Sequence, residues 1–73
     1  MSYKKDLENA ENVVDCQAAY EKECARRYKK YVKEEGEDMA FTRMIAVDFS
    51  IWFKAQTRLR ELGIMDEDIV SKY

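Results

Sequence analysis

The sequence predicts an all-α protein: an antiparallel helical hairpin with a short C-terminal helix, completed as a helical-bundle homodimer. Three observations point there. The 73 residues contain no Pro and only two Gly, so little in the chain interrupts a helix. Apolar residues make up 47% and charged residues 38%, which describes a folded, water-soluble chain rather than a disordered one. The apolar positions recur at helical spacing. A single domain, 1–73, is all this length supports. A core of this size seldom yields more than about 3–5 kcal/mol without a disulfide, metal or second subunit.

The first helix is expected across about 3–35. It ends in "EEGED", where Gly36 suits a left-handed helix end and Asp38 is placed to cap the next helix. Asn9 and Asn12 are weak helix formers, and "NVVD" at 12–15 resembles a second capping site. Continuity is preferred over a break there. The second helix is expected at 39–62. It ends at Gly63 in "ELGIMDED", with Ile64 folding back on Leu59 as in a Schellman motif. Asp66 would then cap a short helix near 67–72, with Met65 stapling towards Val70.

At 100° per residue the first helix carries an apolar stripe through Leu7, Ala10, Val13, Val14, Tyr20, Cys24, Tyr28, Tyr31 and Val32, interrupted by Gln17 and Glu21. The second carries Phe41, Met44, Ile45, Ile51, Trp52, Ala55, Leu59 and Leu62, with Asp48 near the centre of the stripe. Phe49 and Phe53 stand off with Ala46 on a second face. A hairpin covers only one side of such a helix. Ile69 and Tyr73 from the tail, and a second copy of the chain, are the expected cover. Self-association through Phe49, Phe53, Ala46, Ile69 and Tyr73 is therefore the preferred reading.

Asp48 raises its own question, because a buried carboxylate needs a partner. An antiparallel hairpin turning at 36–37 sets it level with Cys24 to Tyr28. Arg27 is then expected to pair with it and the Tyr28 hydroxyl to donate to it, with Glu21 a further inward polar residue. A structural role is favoured over a catalytic one. There is no His, which removes the commonest general base and the partner of most Ser or Cys nucleophiles. The two glycines are too far apart to form a phosphate loop. Two Cys are too few for a zinc site. Neither enzymatic activity, metal nor cofactor is expected.

Cys16 and Cys24 lie eight apart on one helix, about 12 Å along its axis at 1.5 Å per residue, too far to pair within it. They read as reduced thiols of a cytoplasmic protein, and the N-terminus lacks the apolar stretch of a secretory signal. No apolar run approaches the ~20 residues of a membrane span. The net charge of −2 gives no global attraction to nucleic acid.

One local patch does run the other way. In "KECARRYKKYVK", Lys22, Arg26, Lys29, Lys30 and Lys33 share the outward face of the first helix, where they could contact phosphates. Acidic residues crowd the first half of this helix and basic ones the last half, so a solvated face matched to the helix dipole is the default account of them. The segment "SIWFKAQTRLRELGI" loosely resembles a helix of small phage terminase subunits, an aromatic followed by "KA" and then "L…LG", over less than a quarter of the chain. That resemblance implies a DNA-packaging or mobile-element context. The alternative to an assembly module is accordingly a nucleic-acid-binding accessory protein.

Overall fold

The computed structural model describes residues 2–73. It is all-helical, with α1 at Tyr3–Asn9, α2 at Val13–Glu35 and α3 at Glu37–Glu61. The first predicted helix is thus two. Asn12 caps α2 by accepting from the Asp15 amide at 2.9 Å, and the Asp15 carboxylate reaches back to the Glu11 amide at 3.1 Å. That reciprocal pair satisfies two amides a continuous helix would have bonded internally, so the break costs little and lets α1 fold back.

Folding back is what α1 does. Leu7 and Ala10 are buried against the hairpin, and the Tyr3 hydroxyl donates to the Ile51 carbonyl at 2.6 Å. From α3, the Arg58 guanidinium donates to the carbonyls of Leu7, Glu8 and Ala10 at 2.8, 3.2 and 3.3 Å. The C-terminal end of a helix leaves carbonyls unsatisfied. A cation from another helix supplies both the donors and the charge that end prefers.

The α2–α3 hairpin turns on Gly36 alone, at φ 89°, ψ 168°. That region is essentially restricted to glycine. Gly36 is itself the N-cap of α3, and Asp38 lies inside the first turn instead of capping it. At the other end the Schellman motif forms as expected. Gly63 is at φ 82°, its amide bonds the Arg60 carbonyl at 2.9 Å, and the Ile64 amide bonds the Leu59 carbonyl at 3.3 Å.

The core joins Cys16, Ala19, Tyr20 and Cys24 of α2 to Ala40, Met44, Ile51, Ala55 and Leu59 of α3. Compared with the predicted stripes, both helices are rotated. Val14, Phe41 and Ile45 are exposed, while Cys16 and Ala19 take buried places. Small side chains at the contact let the backbones approach closely, and the bulkier neighbours are turned outward.

Beyond Gly63 there is no helix at 67–72. Residues 64–73 instead form an irregular strap, which from Ile69 onward lies along the α2–α3 groove, back towards the turn. The Arg60 guanidinium donates to the Ile64 and Glu67 carbonyls at 2.8 and 2.7 Å and pairs with Asp68 at 2.5 Å. Further side chains take up the backbone after it. Those main-chain groups have partners already, so a last helical turn has nothing to gain.

Candidate functional site

Asp48 lies where sequence placed it, in the interior, but with other partners. Its carboxylate accepts from the Tyr20 hydroxyl on one oxygen and from the Ser71 hydroxyl on the other. The Cys24 thiol lies 4.0 Å away. The Tyr20 hydroxyl in turn accepts the Lys72 amide at 2.8 Å. Burial and the hydrogen bond to Asp48 push the Tyr20 phenol well above its ordinary range. The group is a connected network: two hydroxyls donate to a buried carboxylate and tie the strap to both helices.

The expected partners are elsewhere. Arg27 pairs with Glu23 at 2.9 Å, one turn back on its own helix. A neighbour at i,i+4 is reached without crossing the hairpin, so it wins over Asp48. Tyr28 is half-buried and packs at the edge of the core. Glu21 is exposed and bonded to Gln17, so Glu21, Cys24 and Asp48 do not converge. Among the described residues no three Cys, Asp or Glu side chains are placed to hold a metal ion.

Glu23, which sequence reading passed over, is the second buried acid. At 5% exposure it takes two hydrogen bonds from Arg26, at 2.9 and 2.7 Å, besides the one from Arg27. Those bonds, Arg26 first, hold its carboxyl below the usual range against the opposing effect of burial. The cluster lines a broad open cleft of about 950 Å³ bordered also by Tyr3, Leu7, Phe53 and Lys54. Glu23, Arg26 and Arg27 are engaged with one another there, and Arg58 with the end of α1. Both thiols are buried, and burial raises Cys16 and Cys24 above the ordinary thiol range, the wrong direction for a nucleophile.

The basic face of α2 is partly spent. Lys22 pairs with Asp6 at 3.6 Å and Arg26 with Glu23, while Lys29, Lys30 and Lys33 are exposed.

The outer face of α3 has a different character. Phe41, Ile45, Phe49 and Phe53 form an exposed row at i+4 spacing, and Phe49, the most exposed, is 68% open to solvent. Beside them runs a second exposed row of smaller side chains, Thr42, Ala46 and Ser50. From Met44 to Phe53 every exposed side chain is uncharged: Ile45, Ala46, Phe49, Ser50 and Phe53. The ring of Phe49 packs against Trp52 and Phe53, and Tyr73 lies against Phe41 at the far end. Ile69, expected on this face, is instead buried at 3% exposure, its main chain held by Trp52 and Gln56 in the α2–α3 groove. Among the described residues no helix is long and apolar enough to cross a membrane. No family model, no curated protein and no solved structure matches this chain.

Proposed function

We propose that this chain is a small, non-enzymatic assembly module that self-associates as a homodimer through the outer face of α3. The observation that carries the reading is the uncharged exposed surface from Ile45 to Phe53 in a chain that is 38% charged. The fold does not require it: solvent-facing helix positions take Lys or Glu at no cost to packing, and exposed apolar patches mark contact sites.

A second copy is the partner the surface fits. Rows at i±4 spacing form ridges, and a ridge of large residues beside a groove of small ones is self-complementary. Phe41, Ile45, Phe49 and Phe53 of one helix match Thr42, Ala46 and Ser50 of its copy, with an expected crossing near −50°. Antiparallel pairing brings the acidic first turn, Glu37 and Asp38, towards the more basic C-terminal half of the copy. The four large side chains expose about 450 Å² at the surface areas usual for such residues. That is more than half of the ~800 Å² per partner of a standard interface.

Light scattering tests this: a dimer is expected at tens of micromolar, and a monomeric parent refutes it. Phe49→Ser with Phe53→Ser should give a monomer with undiminished helical signal, since both rings are more than half exposed. Lys22→Glu should stay dimeric. The alternative, nucleic-acid binding by the basic face of α2, is left with Lys29, Lys30 and Lys33 as the cations of that face with no carboxylate partner among the described residues. It requires an affinity for duplex or single strand that falls with salt.

A further inference from the structure

We propose that the groove between α2 and α3 is a binding site for extended peptides carrying an aliphatic residue followed two positions later by a hydroxyl, and that residues 69–73 occupy it in cis. The site is distinct from the Ile45–Phe53 part of the outer face of α3, and its occupant touches that row through Tyr73, at Phe41.

The strap is held in an unusual way for a tail on a helical hairpin. The Ile69 amide donates to the Gln56 side chain at 2.8 Å, and the Ile69 carbonyl accepts from the Trp52 indole. Gln17 brackets Val70, accepting from its amide at 2.8 Å and donating to its carbonyl at 3.0 Å. Tyr20 accepts from the Lys72 amide. Four side chains, from both helices, thus satisfy five main-chain groups in a stretch of four residues.

Contacts of this kind carry affinity for any extended backbone and read no sequence, as in strand addition to a sheet edge. Selectivity comes from two alternate side chains: Ile69, which is buried, and Ser71, an exposed residue whose hydroxyl is turned towards the groove and donates to Asp48. Val70, at 70% exposure, and Lys72 point out. That in–out alternation is the one an extended ligand presents.

The occupant is also displaceable. The strap contributes one buried apolar side chain from 69–73, Ile69, and otherwise hydrogen bonds that water can replace. Segments with few buried apolar contacts open at lower free energy than the helices they cover. A tethered strap competes with any free peptide at an effective concentration near millimolar, so the site is self-blocked until the strap lifts or a better ligand arrives.

The test uses the full chain and a labelled peptide of residues 68–73, DIVSKY, followed by fluorescence anisotropy. Ile69→Asp weakens the strap in cis and should bind the peptide at least about tenfold more tightly than the parent, the factor lost when a site is open a tenth of the time. Adding Gln17→Ala should abolish that binding, and a peptide with Asp in place of Ile should not bind. An Ile69→Asp protein with parental helical signal that ignores the peptide, or binds both peptides alike, overturns the proposal. Hydrogen exchange on the parent decides the matter if that variant loses its helices. The Ile69, Val70 and Lys72 amides should exchange at least tenfold faster than the slowest α3 amides. Strap amides that exchange only with the whole fold overturn the proposal.

Discussion

Tyr20→Phe is the sharpest probe of the interior. The ring is fully buried and stays in place, so the substitution removes one oxygen and leaves packing unchanged. That oxygen donates to Asp48 and accepts from Lys72. A hydrogen bond to a charged group contributes about 1.5–3 kcal/mol, and the buried carboxylate left with fewer donors keeps its desolvation cost. Lys72 is exposed, so water takes over its amide and that loss is small. The expected cost is therefore about 2–3 kcal/mol, roughly half of what a core of this size supplies. With a urea slope of ~1 kcal/mol/M, typical of the smallest domains, the midpoint should fall by about 2–3 M. The single tryptophan, Trp52, and far-UV circular dichroism both report the transition. Tyr28→Phe is the control: Tyr28 makes no hydrogen bond to Asp48, and its effect should stay within about 0.5 kcal/mol. A Tyr20→Phe midpoint within about 0.5 M of the parent would show that the Asp48 network does not stabilise the fold.

Two further outcomes concern the turn and the titrating groups. Gly36→Ala should cost about 1–3 kcal/mol in a denaturant titration. A Cβ there meets nothing within 4 Å, so the whole cost is the backbone conformation at φ 89°, and a neutral result would refute it. On the acid side, Glu23 is held below its ordinary range, so its contribution is complete above about pH 4.3 and is lost as pH falls through its folded value. Melting temperature should therefore drop on acidification, less steeply in Glu23→Gln. On the alkaline side, Tyr3 and Tyr20 are pushed up, chiefly by burial, so their contribution is complete below about pH 10 and is lost as pH rises beyond it. Tyrosinate absorbance for these two should appear only together with unfolding.

The helical fold class, the hairpin and both glycine turns were legible in the sequence because each rests on local rules of periodicity and backbone conformation. The Schellman ending at Gly63 follows from the spacing of Leu59, Gly63 and Ile64 alone. The break at Asn12 was visible as a capping pattern, but choosing it over continuity depends on Arg58, which meets α1 from about fifty positions away. Spacing along one helix cannot show that. Asp48 was rightly read as interior. Axial level, however, fixes which turns face each other and not how each helix is rotated, so Tyr28 was expected where Tyr20 stands. The strap left the faintest trace. Its bonds to Gln17 span fifty-three positions and have no period. The available signal was Gln17 itself, an amide interrupting an apolar stripe, which in a folded chain needs main-chain or side-chain partners.

The segment 44–53 shows why one helix can raise several functional questions at once. Met44 and Ile51 face α2, and Asp48 faces Tyr20 and the strap; these positions are dictated by the interior they fill. Ile45, Phe49 and Phe53 are more than half exposed; Phe49 packs against Trp52 and Phe53, and Phe53 also borders the cleft beside Tyr3 and Leu7. A carboxylate in the greasiest stretch first suggests catalysis. Here each of its oxygens accepts a hydroxyl hydrogen bond from within the fold. The unsatisfied chemistry of the segment is hydrophobic, and it points away from Asp48. A function that arises from this helix is thus more economically a matter of what it touches than of what it transforms. The double substitution at Phe49 and Phe53 separates those alternatives, because it leaves the Asp48 network intact.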